Sequence, residues 1–319
     1  MKCKYCNEKS IYNNLCKKHF IDYFEDKVKK TIKKYKLLSK KEKICVAASG
    51  GKDSSSLLYL LNKIGYNVEA LAIDEGIKGY RDKTLEDLKK LCLKHNIKIR
   101  IESFEKNFSL NLDNLVVNEK RPCSACGILR RRLLNLFSKD YDVIATGHNL
   151  DDEAQAILMN LFKSNIELLK RLGPITGEKS NIDDKIKIDN NKINNNNNNK
   201  EENKNKKKGF TKRVKPFYFC SEKEILIYSF LNKLEVSYNE CPHVFNSFRA
   251  KVRDYLNELE SKKKGTKVNI VKWFLKLKFK KNKEQINYCK LCGEPSSNEI
   301  CNVCNYLSKL EKTNNQKKF

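Results

Sequence analysis

Six consecutive residues, Ser49-Gly50-Gly51-Lys52-Asp53-Ser54, join two glycines to a cation, a carboxylate and two hydroxyls, a set suited to holding phosphate. They stand between an apolar run at residues 43–48 (KICVAA) and a helical pattern at 54–64. Glycines let the backbone pass close to a phosphate, and free amides at a helix start supply donors and a partial positive charge. Lys52 adds a full charge. The spacing differs from a Walker A loop, which needs four residues between its first Gly and Gly-Lys-Ser/Thr.

The chain has thirteen cysteines and, at Met1-Lys2-Cys3-Lys4, no apolar stretch of a secretory signal, so metal or redox chemistry is expected rather than a disulfide framework. Cys3-x2-Cys6 with Cys16-x2-His19, and Cys289-x2-Cys292 with Cys301-x2-Cys304, each offer paired ligand knuckles. Four soft donors converging tetrahedrally predict one zinc per set, structural because no position is left open. The third set differs. Cys123 and Cys126 open a helical pattern carrying Arg130, Arg131 and Arg132, where the helix end and the cations are expected to favour thiolates. Two such thiols suit a redox dithiol, and with a third they could hold a [4Fe–4S] cluster with one iron lacking a protein ligand. Cys241 and Cys220 compete for that third place, while Cys45 and Cys92 are read as small buried hydrophobes.

The elements that must position these groups alternate. Phe20, Phe24, Val28, Ile32 and Tyr35 share one helical face. Strands are predicted at 43–48, 68–73, 97–101 and 143–146, with helices at 54–64, 84–95, 128–137 and 151–162. That order predicts an α/β fold with a doubly wound parallel sheet, whose ligands settle at the carboxyl ends of the strands. Residues 178–209, with six asparagines in a row, have almost nothing apolar to bury and are expected to form a disordered insertion. Core signals return at 213–219, with helices predicted at 221–231 and near 246–259. The implied domains are an N-terminal zinc module (1–24), a nucleotide domain (25–260), a basic linker or helix (261–285), a C-terminal zinc module (286–310) and a tail (311–319).

Charge sharpens the expected partner. There are 66 basic against 39 acidic residues, a net +27. Between 261 and 283 lie ten lysines and no acid, interleaved with Trp273, Phe274 and Phe279. Cations release counterions on binding phosphates, and aromatics among them suit unstacked bases, so RNA contact is favoured over a merely solvated face. No apolar run approaches the ~18 residues a membrane span needs, and a cytoplasmic location is expected.

The 49–54 loop resembles the PP-loop of the ATP-pyrophosphatases, which implies cleavage between the α and β phosphates and an adenylated product. Taken together the chain resembles the tRNA 2-thiolation family, which includes NcsA-like, TtuA-like and Ctu-like PP-loop ATPases. The likeness rests on the N-terminal zinc module, the loop and Asp74-Glu75-Gly76-Ile77 with Gly79-Tyr80-Arg81. It continues through Cys123/Cys126, Gly147-His148-Asn149-Leu150-Asp151-Asp152-Glu153, Arg213-Val214-Lys215-Pro216, Cys241-Pro242 and the C-terminal zinc module.

The resemblance implies ATP with Mg²⁺ at Ser49, Gly50, Gly51, Lys52, Asp53, Ser54, Asp74 and Gly147, and a [4Fe–4S] cluster on Cys123, Cys126 and Cys241, the third being the cysteine followed by proline. It implies catalytic roles for Asp151 or Asp152, with Lys52 and Arg130 steadying phosphate charge. The TtuA-like branch has lysine where this chain has Arg130, and arginine there points to the branch acting on the wobble uridine. Implied partners are tRNA and a sulfur donor, either sulfide or a ubiquitin-like thiocarboxylate carrier, with a homodimer among the open assemblies. The competing readings are a 2-thiocytidine synthase, 2-thiolation at another tRNA position, and a non-enzymatic zinc-ribbon RNA-binding protein.

Overall fold

The structure, a computed structural model, describes residues 1–117, 119, 122–177, 209–243, 247–277, 279 and 287–316. The insertion expected at 178–209 lies outside them except for Gly209, as do 278 and 280–285 of the basic segment and 286 of the C-terminal module.

Helix α1 (Lys17–Tyr35) leads into β1 (Ile44–Ala47), α2 (Lys52–Lys63), β2 (Val68–Asp74), α3 (Arg81–Lys94) and β3 (Ile99–Ser103). Two one-turn helices follow, α4 (Phe104–Phe108) and α5 (Leu112–Val116), then α6 (Pro122–Phe137), β4 (Val143–Thr146), α7 (Leu150–Phe162), α8 (Ile166–Lys170) and β5 (Ile175–Thr176). After the insertion come β6 (Lys212–Val214), α9 (Glu222–Leu231), α10 (Phe248–Lys262) and α11 (Thr266–Lys276). The chain closes with a β7 (Asn287–Tyr288) and β8 (Pro295–Ser296) ribbon and α12 (Asn302–Gln316).

The sheet order is β3-β2-β1-β4-β6-β5, parallel throughout except for β5 against β6. Cys45 sits in register between Glu69 of β2 and Ile144 of β4. Side chains alternate across a strand, so Ile44 and Val46 enter one core with α1, α2, α3 and α9, while Cys45 enters another with α4, α5 and α6. Both faces are covered, which is why these strands read as continuous apolar runs. A third core joins α7, α8, α10 and α11. The strand order reverses between β1 and β4, so the crevice at their carboxyl ends is where a ligand is expected.

The strands fall where predicted to within two residues, and several helices begin earlier. Helix α6 starts at Pro122 rather than 128, since proline at the first helical position loses no hydrogen bond. The basic segment read as a linker or helix, with an RNA-facing role, contains α11, which buries Val271 and Phe274 against α7. Its lysines share the helix with an apolar stripe that the charge masks. No described helix is long and apolar enough to cross a membrane.

Candidate functional site

The loop between β1 and α2 is held in shape before any ligand arrives. Gly50 has φ +77° and lies so close to α3 that a Cβ there would stand 2.1 Å from the Thr84 carbonyl oxygen. Ser49 donates its amide to Ser54 Oγ at 3.0 Å, and Ser54 Oγ in turn donates to the Gly51 carbonyl at 3.2 Å. Helix α2 begins at Lys52 with no side-chain cap, so its first-turn amides have no helical carbonyl to pair with and form the donor cluster that phosphate needs.

Lys52 is not a free cation here. Its ammonium lies 3.1 Å from Asp53 and 2.7 Å from Glu222 at the start of α9. Removal of water from Asp53 pushes its carboxyl up to about 6, against the pull of Lys52 and with a small push from Asp152.

Across the switch point, Gly147 packs under the loop: a Cβ would come within 2.9 Å of the Asp53 and Ser54 backbone. Its smallness therefore seats the loop on β4. Asn149 caps α7 and approaches Asp53 Oδ1 with its amide at 3.5 Å.

The two aspartates between which the sequence leaves the catalytic role open part company. Asp151 is buried, with one oxygen on the Lys267 ammonium and the other accepting the Glu222 amide at 2.8 Å. Asp152 closes the capping box of α7 and lies 3.6 Å from Arg249. Asp74 accepts the Gly76 amide at 2.9 Å, which turns the chain out of β2.

Helix α6 presents Cys126 buried and Cys123 exposed. The Cys123 thiol donates to the His243 carbonyl at 3.3 Å, and Cys126, Cys241 and Cys123 act on one another electrostatically. Cys220 is fully buried in the core with α1 and α9, which removes it as a rival to Cys241. Cys45 and Cys92 are buried as predicted. The expectation of a thiolate is corrected at Cys126 in the free protein. Burial pushes Cys126 up to about 12 and also raises Cys241, and Arg130 only partly offsets it. Arg132 is turned away, 3.7 Å from Glu294.

Two links that no spacing could reveal join the nucleotide loop to these cysteines. Buried Arg81 donates to the Ser49 and Ile73 carbonyls and pairs with Glu75 at 2.9 Å, and Glu75 lies 3.4 Å from Arg130. Gly51 also forms a parallel bridge with Ser237, four residues before Cys241. Glu75 and Arg81 were visible as motif residues without a role. Lys267 was hidden among the lysines.

Each terminal module brings its four predicted ligands together, with one ligand atom from each within 4.8 Å of the others. Cys6 and Cys16 sulfurs are 3.6 Å apart, and the His19 Nδ1 distances to Cys3, Cys6 and Cys16 run 3.4, 3.5 and 3.2 Å. Cys292 and Cys301 sulfurs are 3.7 Å apart. Tetrahedral zinc with Zn–S near 2.3 Å requires sulfurs about 3.8 Å apart. The donors fit a metal ion. Cys123, Cys126 and Cys241 do not form such a tight group among the described residues. A cavity of about 850 Å³ adjoins the loop, with Lys52, Asp151, Glu222 and Lys267 in its wall.

Residues 20–193 match a family model described as a PP-loop domain. The chain is 37% identical over 318 residues to the tRNA-5-methyluridine(54) 2-sulfurtransferase of Pyrococcus horikoshii, covering 96% of this chain and 93% of the relative. It is 32% identical over 309 residues to the cytoplasmic tRNA 2-thiolation protein 1 of Dictyostelium discoideum, covering 93% and 78%. Among solved structures it resembles the U34-tRNA thiolase NcsA of Methanococcus maripaludis with its [4Fe-4S] cluster, at a TM-score of 0.75 and 32% identity, over 97% of this chain and 96% of that one.

Proposed function

Since the chain belongs to the PP-loop tRNA 2-thiolation family, we propose that it is an ATP-dependent tRNA sulfurtransferase that adenylates a uridine at C2 and replaces that oxygen with sulfur. The observation that carries this reading is the joining of the 49–54 loop to three converging cysteines through Arg81, Glu75 and Arg130. An adenylating loop alone makes an activated carbonyl. Joined to a thiol site, it makes one for sulfur to attack.

The C2 oxygen of uridine cannot leave as oxide. ATP, with Mg²⁺ on its phosphates, is held by the loop amides, Ser49, Ser54 and Lys52. Attack by the uridine oxygen on the α-phosphorus releases pyrophosphate, and C2 then carries AMP as a leaving group. Binding phosphate draws Lys52 from Glu222 toward the new charge, and such preorganised donors stabilise developing charge in a water-poor site. Arg130 stands on the cysteine side as a second cation. We assign the catalytic carboxylate to Asp152: its charge acts on Asp53 and its Arg249 pair is loose at 3.6 Å, whereas Asp151, though it lines the cavity, is tied to Lys267 and the α9 amide.

Cys123, Cys126 and Cys241 would hold a [4Fe–4S] cluster, which supplies when bound an iron without a protein ligand, open to an exogenous sulfide. The burial that raises the thiols of Cys126 and Cys241 also shields such a cluster from water. The two four-donor modules would each hold a structural zinc, all four positions being filled by protein. The sulfur donor is a sulfide or thiocarboxylate source and the location is the cytoplasm, as the name of the Dictyostelium relative suggests.

The wobble uridine is the favoured position because arginine occupies position 130. Position 54 is the second reading, favoured by the name of the Pyrococcus relative. Nucleoside mass spectrometry of tRNA fragments from a deletion strain tests both: 2-thiouridine is expected to vanish from anticodon fragments. Loss confined to T-arm fragments overturns the position, and unchanged 2-thiouridine overturns the function.

A further inference from the structure

His148 is a part of the 147–153 motif that the proposed chemistry leaves unused. It stands on the short connection from β4 to α7, between Gly147, which packs under the nucleotide loop, and Asn149, which reaches Asp53. The residue is exposed to solvent at that connection.

The tautomer is set locally. Thr146 donates its hydroxyl to the Val214 carbonyl at 3.5 Å, so its oxygen accepts from His148 Nδ1 at 2.9 Å. Nε2 is then left with the lone pair.

The surroundings keep the ring neutral. The residue keeps solvent contact, yet the protein packed around its ring opposes the imidazolium. Asp152 of α7 favours it, and Lys215 beyond β6, Arg249 of α10 and Arg130 of α6 oppose it. Each of those cations already has a carboxylate: Lys215 pairs with Glu153, Arg249 with Asp152 and Arg130 with Glu75.

The chain has four histidines. His19 belongs to the N-terminal donor set, His95 packs on Tyr59 at the opposite end of α3, and His243 lies 3.5 Å from Asp113. Only His148 follows a strand at the switch point.

We propose that His148 is a catalytic base, its Nε2 taking the N3 proton of the target uridine as the C2 oxygen attacks the α-phosphorus of ATP. This rests on the sulfurtransferase reading above. The bond formed is O2–Pα, the bond broken is Pα–O to pyrophosphate, and the N3–H electron pair closes an N3=C2 double bond. Without the proton transfer the adenylated ring would carry a positive charge beside N3. When hydrosulfide adds to C2, the proton returns from His148 to N3. The C2–O bond then breaks with its electrons leaving on AMP, and the thiol proton is lost to solvent as C2=S forms. Nothing is oxidised or reduced.

The test is single-turnover pyrophosphate release by the full chain with tRNA and ATP and no sulfur source. His148→Ala is expected to slow release by about a hundredfold or more, the range of positioned general bases, while the ATP concentration for half-maximal rate changes little. Added imidazole should restore part of the rate in His148→Ala and none in Lys52→Ala, a readout that a merely structural histidine would not give. His148→Asn, which keeps a donor for Thr146, should fold normally and remain slow. Wild-type release with an unchanged or imidazole-insensitive His148→Ala overturns the base assignment alone. A wild type that releases no pyrophosphate with tRNA overturns the sulfurtransferase reading and the base with it.

Discussion

Gly50 and Gly79 both hold left-handed backbone, at φ +77° and +72°, yet only Gly50 has a neighbour in the way. A side chain in that conformation costs about 1–2 kcal/mol. At Gly79 nothing lies within 4 Å, so Gly79→Ala should cost only that strain. At Gly50 the obstacle is the Thr84 carbonyl, backbone of α3 that cannot swing aside. Gly50→Ala should therefore cost about 3–4 kcal/mol, overpacking being added to strain. Urea unfolding of both variants checks the ranking, and equal costs would contradict it. The need for glycine at position 50 was legible in the sequence, but its reason was not. A phosphate-binding role was inferred, whereas the closest constraint is packing on α3. Cys220 and Cys241 could likewise be separated from sequence only by resemblance, because burial in a shared core depends on which helices meet, a non-local fact.

At the scale of elements, α11 shows how composition conceals a face. Ten lysines pointed outward to RNA, but Val271 and Phe274 dock the helix on α7, and Lys267 lies buried against Asp151. Lys267→Met should leave a buried carboxylate with one amide donor and no cation. Removing one member of a buried pair costs roughly 3–5 kcal/mol. Adding Asp151→Asn, which removes the charge and keeps an acceptor for the Glu222 amide, should recover most of that loss. Thermal and denaturant unfolding of the single and double variants measures the coupling, and purely additive losses would refute it. The one-turn helices α4, α5 and α8 escaped the periodicity argument for a different reason. They are fixed by Ser103, Asn111 and Asn165, whose side chains accept an amide three residues on, too short a signal to show as an apolar stripe. The long strands and helices were legible because two buried faces leave an apolar record.

Across the whole molecule the two four-donor modules have the same ligand logic and different neighbours. The N-terminal one ends on the first turn of α1, which supplies His19 and is held independently further along: Phe24 stacks on Tyr228, and Lys27 pairs with Glu224 of α9. The C-terminal one is built into the core around α6. Cys289 and Cys301 are buried there with Cys126, Leu129 and Leu133, and Glu294 pairs with Lys139 just beyond that helix. Sequence spacing could identify both ligand sets but could not tell which one braces the helix that carries Cys123 and Cys126. Metal binding in such small modules is coupled to their folding, so loss of a ligand frees the whole module. Cys6→Ser should therefore lower zinc from two to one per chain and expose residues before α1 to protease, while anaerobically prepared protein keeps its iron. Cys289→Ser should also lower zinc to one, but with α6 unbraced it should lose iron as well. Metal analysis of the two variants beside wild type distinguishes them. Equal iron retention would mean that the C-terminal module, despite its packing, does not support the cysteine site.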